Sequence, residues 1–164
     1  RVDSVLSSNF INGYSTHKLG ALYRLRGEST ILTFGGSYQR ASLSGEQLFP
    51  NSLRVERTFD NFLPTIMIQQ KYSAASNLRM FYRTSTNAPS ITQLQNIVDN
   101  SNPLQLRVGN PGLLQEYTHS LNARFVDAQW LVGKTMFGFV NLSYTANYIG
   151  NSRSEEHTSE LQSH

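Results

Sequence analysis

The feature that most constrains this chain is a period of two that recurs along most of its length while no apolar run grows long. In "GNPGLLQEYTHSLNARF", residues 109–125, turn residues give way to strict alternation. Tyr117, His119, Leu121, Ala123 and Phe125 share one parity, and Thr118, Ser120, Asn122 and Arg124 the other. Such alternation is a strand with two unlike faces. Five more segments read the same way: Thr16–Arg26, Thr30–Arg40, Phe62–Tyr72, Asn77–Ser85 and Thr135–Ile149. Most have the roughly 9–11 residues that a tilted strand needs to cross a bilayer.

Composition decides what kind of sheet this is. Hydrophobic residues make up 38% and charged ones 15%, both low for a compact soluble domain, while eight Tyr and nine Phe are plentiful. Apolar runs as short as "FLPTIMI" exclude a membrane-spanning helix. Low charge, abundant Tyr and alternating polarity suit a transmembrane β-barrel, with a soluble all-β sandwich as the alternative. The expected fold is therefore all-β, an antiparallel up-and-down meander of about six strands from a large barrel. Cysteine is absent, which excludes disulfides, thiolate metal sites and Cys nucleophiles.

The connections alternate in length. "GES" (27–29), "SAAS" (73–76) and "DAQWLVGK" (127–134) are short, whereas Ala41–Asn61 and Thr86–Gln115 read as long loops. In a meander every second connection emerges on one side, so this parity predicts tight turns at one rim and large loops at the other, as in outer-membrane barrels. Within the longer loop, "SITQLQNIV" has the makings of one helical turn.

The tail "RSEEHTSELQSH", residues 153–164, reads as a translated short-read sequencing adapter rather than native protein. Residues 1–152 are then a partial outer-membrane β-barrel domain. The tail holds one Arg and three Glu, so removing it leaves 13 basic and 8 acidic residues and a net charge of +5 instead of +3.

The stretch "YRTSTNAPSITQLQNIVDNSNPLQLRVGNPGLLQEYTHSLNARF", residues 82–125, resembles the barrel region of TonB-dependent outer-membrane receptors. It is most similar to the outer-membrane β-barrel proteins of that superfamily in Bacteroidetes. The family usually writes Gly-Asn-Pro-x-Leu-Lys-Pro-Glu; Gly109, Asn110, Pro111, Leu113 and Glu116 match, while Leu114 and Gln115 replace Lys and Pro. The resemblance implies a plugged barrel of about 22 strands. It also implies a location in the outer membrane of a Gram-negative bacterium, and import of an unknown nutrient ligand. The partners it implies are outer-membrane lipid and an inner-membrane energy-coupling protein, engaged through an N-terminal region. The loop motif on which it rests comprises Asn87, Pro89, Ser90, Gln93, Gly109, Asn110, Pro111 and Glu116.

In a barrel the apolar face meets lipid and the polar face lines the lumen. Leu121, Ala123 and Phe125 are then expected against acyl chains. Arg24, Arg79, Arg83, Asn122 and Arg124 are expected in the lumen; the arginines there pair with acids of a plug or are simply solvated, in preference to lining a path for anionic ligands. Tyr23, Tyr38, Tyr72, Tyr82, Tyr117 and Tyr148 fit an interfacial girdle or ordinary strand aromatics equally well.

Catalysis finds no support. His17 and His119 lack the spaced partners of a metal site, and Asp60, Asp99 and Glu116 stand singly. No cofactor, metal or catalytic residue is expected, and the dispersed positive charge argues against nucleic acid. The leading expectation is a receptor/transporter fragment. The alternatives are a non-transporting barrel (adhesin or structural) and a soluble β-sandwich binding module.

Overall fold

The structure is a computed structural model that describes residues 9–49, 53–94, 98–99 and 107–150. Its strands are β1 Asn9–Arg26, β2 Thr30–Phe49, β3 Leu53–Lys71, β4 Ser76–Asn87, β5 Val98–Asp99, β6 Arg107–Val108, β7 Glu116–Gln129 and β8 Lys134–Ala146. Six of them form one sheet in the order β1-β2-β3-β4-β7-β8, every neighbour antiparallel. The expected meander is therefore observed. The β4–β7 connection holds the one-turn helix α1 (Ile91–Leu94) and the small β5–β6 ladder. Among the described residues no helix is long and apolar enough to cross a membrane.

One end of the sheet is closed by tight turns. The Gly27 amide donates to Thr30 O at 2.8 Å, and the Tyr72 amide to Ser76 O at 2.9 Å. Ser73 Oγ accepts the Ala75 and Ser76 amides at 3.1 and 3.0 Å, so the second turn holds itself. Between β7 and β8 a 3-10 turn, Trp130–Val132, ends on Gly133 at φ 61°, a left-handed position that suits glycine.

At the other end the structure corrects one expectation. Ala41–Asn61 is not a long loop: the β2–β3 ladder continues through Ala41↔Phe59 and Ser44↔Glu56 to Gln47↔Leu53. Alternation persists there in small and polar residues. Ala41, Leu43 and Gly45 are buried, while Ser42, Ser44 and Glu46 are exposed. The final strand is shorter than expected. It ends at Ala146, because Asn147 turns the chain at φ 55°, and Tyr148 lies beyond it. Residues 151–164, which include the adapter-like tail, lie outside the described residues.

Cross-strand partners share a face, so the register sorts every side chain. One row reads Leu25–Leu32–Ile68–Met80–Ala123–Val140 across all six strands. The next reads Tyr23–Phe34–Ile66–Tyr82–Leu121–Leu142. Among the described residues no second layer covers this face, and Tyr23, Phe34, Ile66, Val140 and Leu142 are exposed on it. Along β8 the run from Met136 to Tyr144 covers roughly 26 Å at about 3.3 Å per residue. Removing a barrel tilt of about 40° leaves roughly 20 Å, close to the apolar band of membrane barrels.

The band ends sharply. Above Tyr38 the row becomes His17–Arg40–Asp60, with the Tyr38 hydroxyl donating to Asp60 Oδ1 at 2.7 Å. The β2–β3 hairpin continues past this level with Ser42, Ser44, Glu46, Arg54 and Glu56 exposed. At the same rim His119 packs among Tyr82, Tyr117 and Tyr144, ring centroids 6.2, 5.0 and 6.1 Å away. Pro64 has no amide to give, and the β3–β4 ladder stops beside it at Thr65↔Arg83. Side chains take over the carbonyls beyond. Thr84 Oγ1 donates to Pro64 O at 3.1 Å, and the Tyr117 hydroxyl to Phe62 O at 2.6 Å.

Two adjacent residues of β7 test the face assignment. In the full-length protein folded into bilayers, Ala123→Arg is expected to lower unfolding free energy by about 2–4 kcal/mol. Asn122→Arg, on the opposite face, is expected to change it by no more than about 0.5 kcal/mol. Denaturant titration reads both, and equal losses would reverse or abolish the assignment.

Candidate functional site

The β4–β7 connection leaves β4 through Ala88 and the buried Pro89, and a capping box then starts α1. Ser90 Oγ accepts the Gln93 amide at 3.3 Å, while Gln93 Oε1 accepts the Ser90 amide at 2.9 Å. This reciprocal pair satisfies donors that a helix start leaves free. It makes one turn stable enough to present Ile91 and Leu94 on a single face.

Both side chains are buried against Leu43 of β2, with Val55 of β3 and Leu113 packed alongside. Gly45 makes room for them. A Cβ there would stand 2.7 Å from Ile91 Cδ1 and 2.8 Å from Ile91 Cγ2, closer than packed atoms approach. The described parts of the connection thus dock on the upper sheet, on the face opposite the apolar rows.

The returning arm is fixed by the Gly-Asn-Pro-Gly turn. The Asn110 amide donates to Gln93 O at 2.6 Å, joining the two arms. Asn110 Oδ1 accepts the Gly112 amide at 2.8 Å, an Asx turn. The Arg57 guanidinium donates to Pro111 O. Below them, Asn61 donates to Gln115 Oε1, and Gln39 Nε2 donates to Thr86 Oγ1 at 2.8 Å. Gln115 is buried, and its Nε2 meets no partner among the described residues.

Glu116 closes the base. Its Oε1 accepts the Ile149 amide at 2.9 Å and its Oε2 accepts Asn87 Nδ2 at 3.0 Å. These bonds, the Ile149 amide first, hold its carboxyl below the usual carboxylate range.

The loop motif expected from sequence is thus brought together, chiefly by bonds to itself: Asn87 to Glu116, Ser90 to Gln93, and Gln93 to Asn110. Pro89 packs beneath, Gly109 leads into the turn, and Pro111 accepts Arg57. The second expected group, Arg24, Arg79, Arg83, Asn122 and Arg124, lies on the same face of the sheet, nearer the tight turns. Among the described residues no hydrogen bond or ion pair joins the two groups. Leu43, Gly45, Val55, Arg57 and Asn61, which receive the loop, escaped the sequence reading. The signal for Leu43 and Gly45 was the alternation of residues 41–46. Among the described residues no cluster of His, Asp or Glu is placed to hold a metal.

Two outcomes follow for the full-length protein. Gly45→Val crowds Ile91 at a cost of about 1–3 kcal/mol, so proteolysis of the β4–β7 connection is expected to speed up roughly 5- to 150-fold with the barrel intact. The folded pKa of Glu116 is depressed, so its stabilising contribution is present above the ordinary carboxylate range. It is lost as pH falls through the folded value. The protection of the Ile149 amide against hydrogen exchange, taken relative to its intrinsic rate, should therefore fall in acid, below the ordinary carboxylate range. Glu116→Gln should remove that pH step; a step that survives the substitution assigns it elsewhere.

The chain matches no curated protein and no solved structure. Residues 3–163 match the family model described as outer membrane protein beta-barrel family. With an uncovered apolar belt, a charged hairpin above it and a loop docked on the opposite face, the chain belongs to that family of outer-membrane barrels.

Proposed function

We propose that the complete protein is a TonB-dependent receptor that binds a nutrient at the surface of a Gram-negative bacterium and imports it through this barrel. The observation that carries this reading is the direction of the β4–β7 connection. Its described parts fold onto the arginine-bearing face through Ile91 and Leu94. An adhesin presents its loops outward, and a purely structural barrel has no use for one docked on its wall. A transporter uses such a loop to narrow and shape its path.

Closing the sheet into a barrel with its apolar rows toward lipid directs Arg24, Arg79, Arg83, Asn122 and Arg124 into the lumen. The similarity over residues 82–125 supports the same reading. On it, the wall contacts outer-membrane lipid and an inner-membrane energy-coupling protein engages an N-terminal region. The Gly-Asn-Pro-Gly turn serves as scaffold for the surface loop rather than as the ligand contact. The chemistry is passage rather than catalysis, with no cofactor and no nucleic acid.

Crosslinking of the full-length protein in intact envelopes tests this. It is expected to trap an inner-membrane coupling protein, and deletion of the gene is expected to slow growth on one limiting nutrient. A protein that traps no such partner, and whose loss impairs only attachment or envelope integrity, is the adhesin or structural barrel instead.

A further inference from the structure

The polar face has a charge pattern that the sheet itself does not need. One row crosses all six strands as Arg26–Ile31–Gln69–Arg79–Arg124–Phe139. Arg79 and Arg124 are direct cross-strand partners, an arrangement that like charges make unfavourable. Lys71 lies one row nearer the turns, opposite Asn77. Among the described residues the ion pairs are Arg40–Asp60 and Arg54–Glu56, both away from this row. None of Arg26, Lys71, Arg79 or Arg124 meets a carboxylate in such a pair.

What surrounds these cations is equally specific. Arg124 lies over the Phe137 ring, its Cζ 5.3 Å from the centroid, and so is held in place without being neutralised. Between the turns at 27–29 and 72–75 a half-open cavity of about 350 Å³ is lined by Arg26, Lys71, Arg79, Asn77 and Glu28, and by Leu78 from the other face. That volume is the size of a small-molecule site, not of a protein interface. Guanidinium groups match phosphate and carboxylate oxygens in pairs.

We propose that this end of the polar face binds a small polyanion bearing two or more phosphate or carboxylate groups. The cavity between Arg26, Lys71 and Arg79 holds it, with Arg124 beside it. As the substrate class of an importer, this rests on the function proposed above; as a binding site it stands alone. The repulsion between Arg79 and Arg124 then becomes attraction to a shared ligand, and the single carboxylate of the lining, Glu28, is outnumbered by Arg26, Lys71 and Arg79.

Equilibrium dialysis of the full-length protein in detergent against labelled pyrophosphate tests the site. Saturable binding is expected, displaced by citrate but not by glucose, and weakened as salt rises from about 0.05 to 0.5 M. Arg79→Gln and Arg124→Gln should each weaken it about tenfold, as loss of a charge-assisted bond does. Arg124→Lys should weaken it less. Absence of binding overturns the proposal, as does equal binding by the Gln variants or displacement by glucose. If the unaltered protein binds no pyrophosphate and the Gln variants instead expose an internal acidic segment to protease, that segment is the occupant and the proposal fails. Citrate competition on the unaltered protein decides the matter should a variant not fold. Pyrophosphate binding without any coupling partner would retain the site and reject import.

Discussion

Everything in this molecule depends on the antiparallel ladder that runs without a crossover from β1 to β8. In hydrocarbon a backbone amide or carbonyl finds no water, so each must be paired along the sheet. That requirement fixes the register, and the register fixes which side chains face together. The all-apolar row from Leu25 to Val140 and the arginine row from Arg26 to Phe139 are consequences of one set of backbone bonds. A slip of one residue in β1, β4 or β7 would send arginines toward lipid and leucines toward the polar side. The exception supports the rule. Where Pro64 interrupts the ladder, Thr84 and Tyr117 supply side-chain donors to Pro64 O and Phe62 O.

How much of this was legible in the sequence depended on whether the signal was local. Strand cores such as Thr16–Arg26 and Glu116–Val126 were readable because large apolar residues alternate with polar ones. The same period in "ASLSGEQ" was obscured, since Ala41 and Gly45 are small and their neighbours are Ser and Glu. Gly45 is small because Ile91 sits against it, a contact far along the chain that no window of sequence contains. The loop motif was recognised by its letters, but its wiring was not. That Gln93 would join Ser90 on one side and Asn110 on the other follows only from the fold.

The two ends of the sheet carry different physics. At the tight-turn end the polar face is cationic and open, with Arg26, Lys71 and Arg79 around a cavity. At the loop end the same face is capped by an apolar contact, Leu43 with Ile91 and Leu94, and by amide side chains. Strong charge at one end and dry packing at the other make the face directional. The outer face has no such gradient within its belt; it changes only at the rim, where Tyr38 meets Asp60 and His119 packs among three tyrosines.

The clamp between Gln93 and Asn110 has one more consequence. Because the loop is held at its base by Glu116, at Asn110 by Gln93, and against Leu43 by Ile91 and Leu94, its described parts belong mechanically to the wall. A change of surface chemistry that keeps those three attachments leaves the strand register as it is. Mutation is thus constrained at a few named contacts, and the frame is inherited through them.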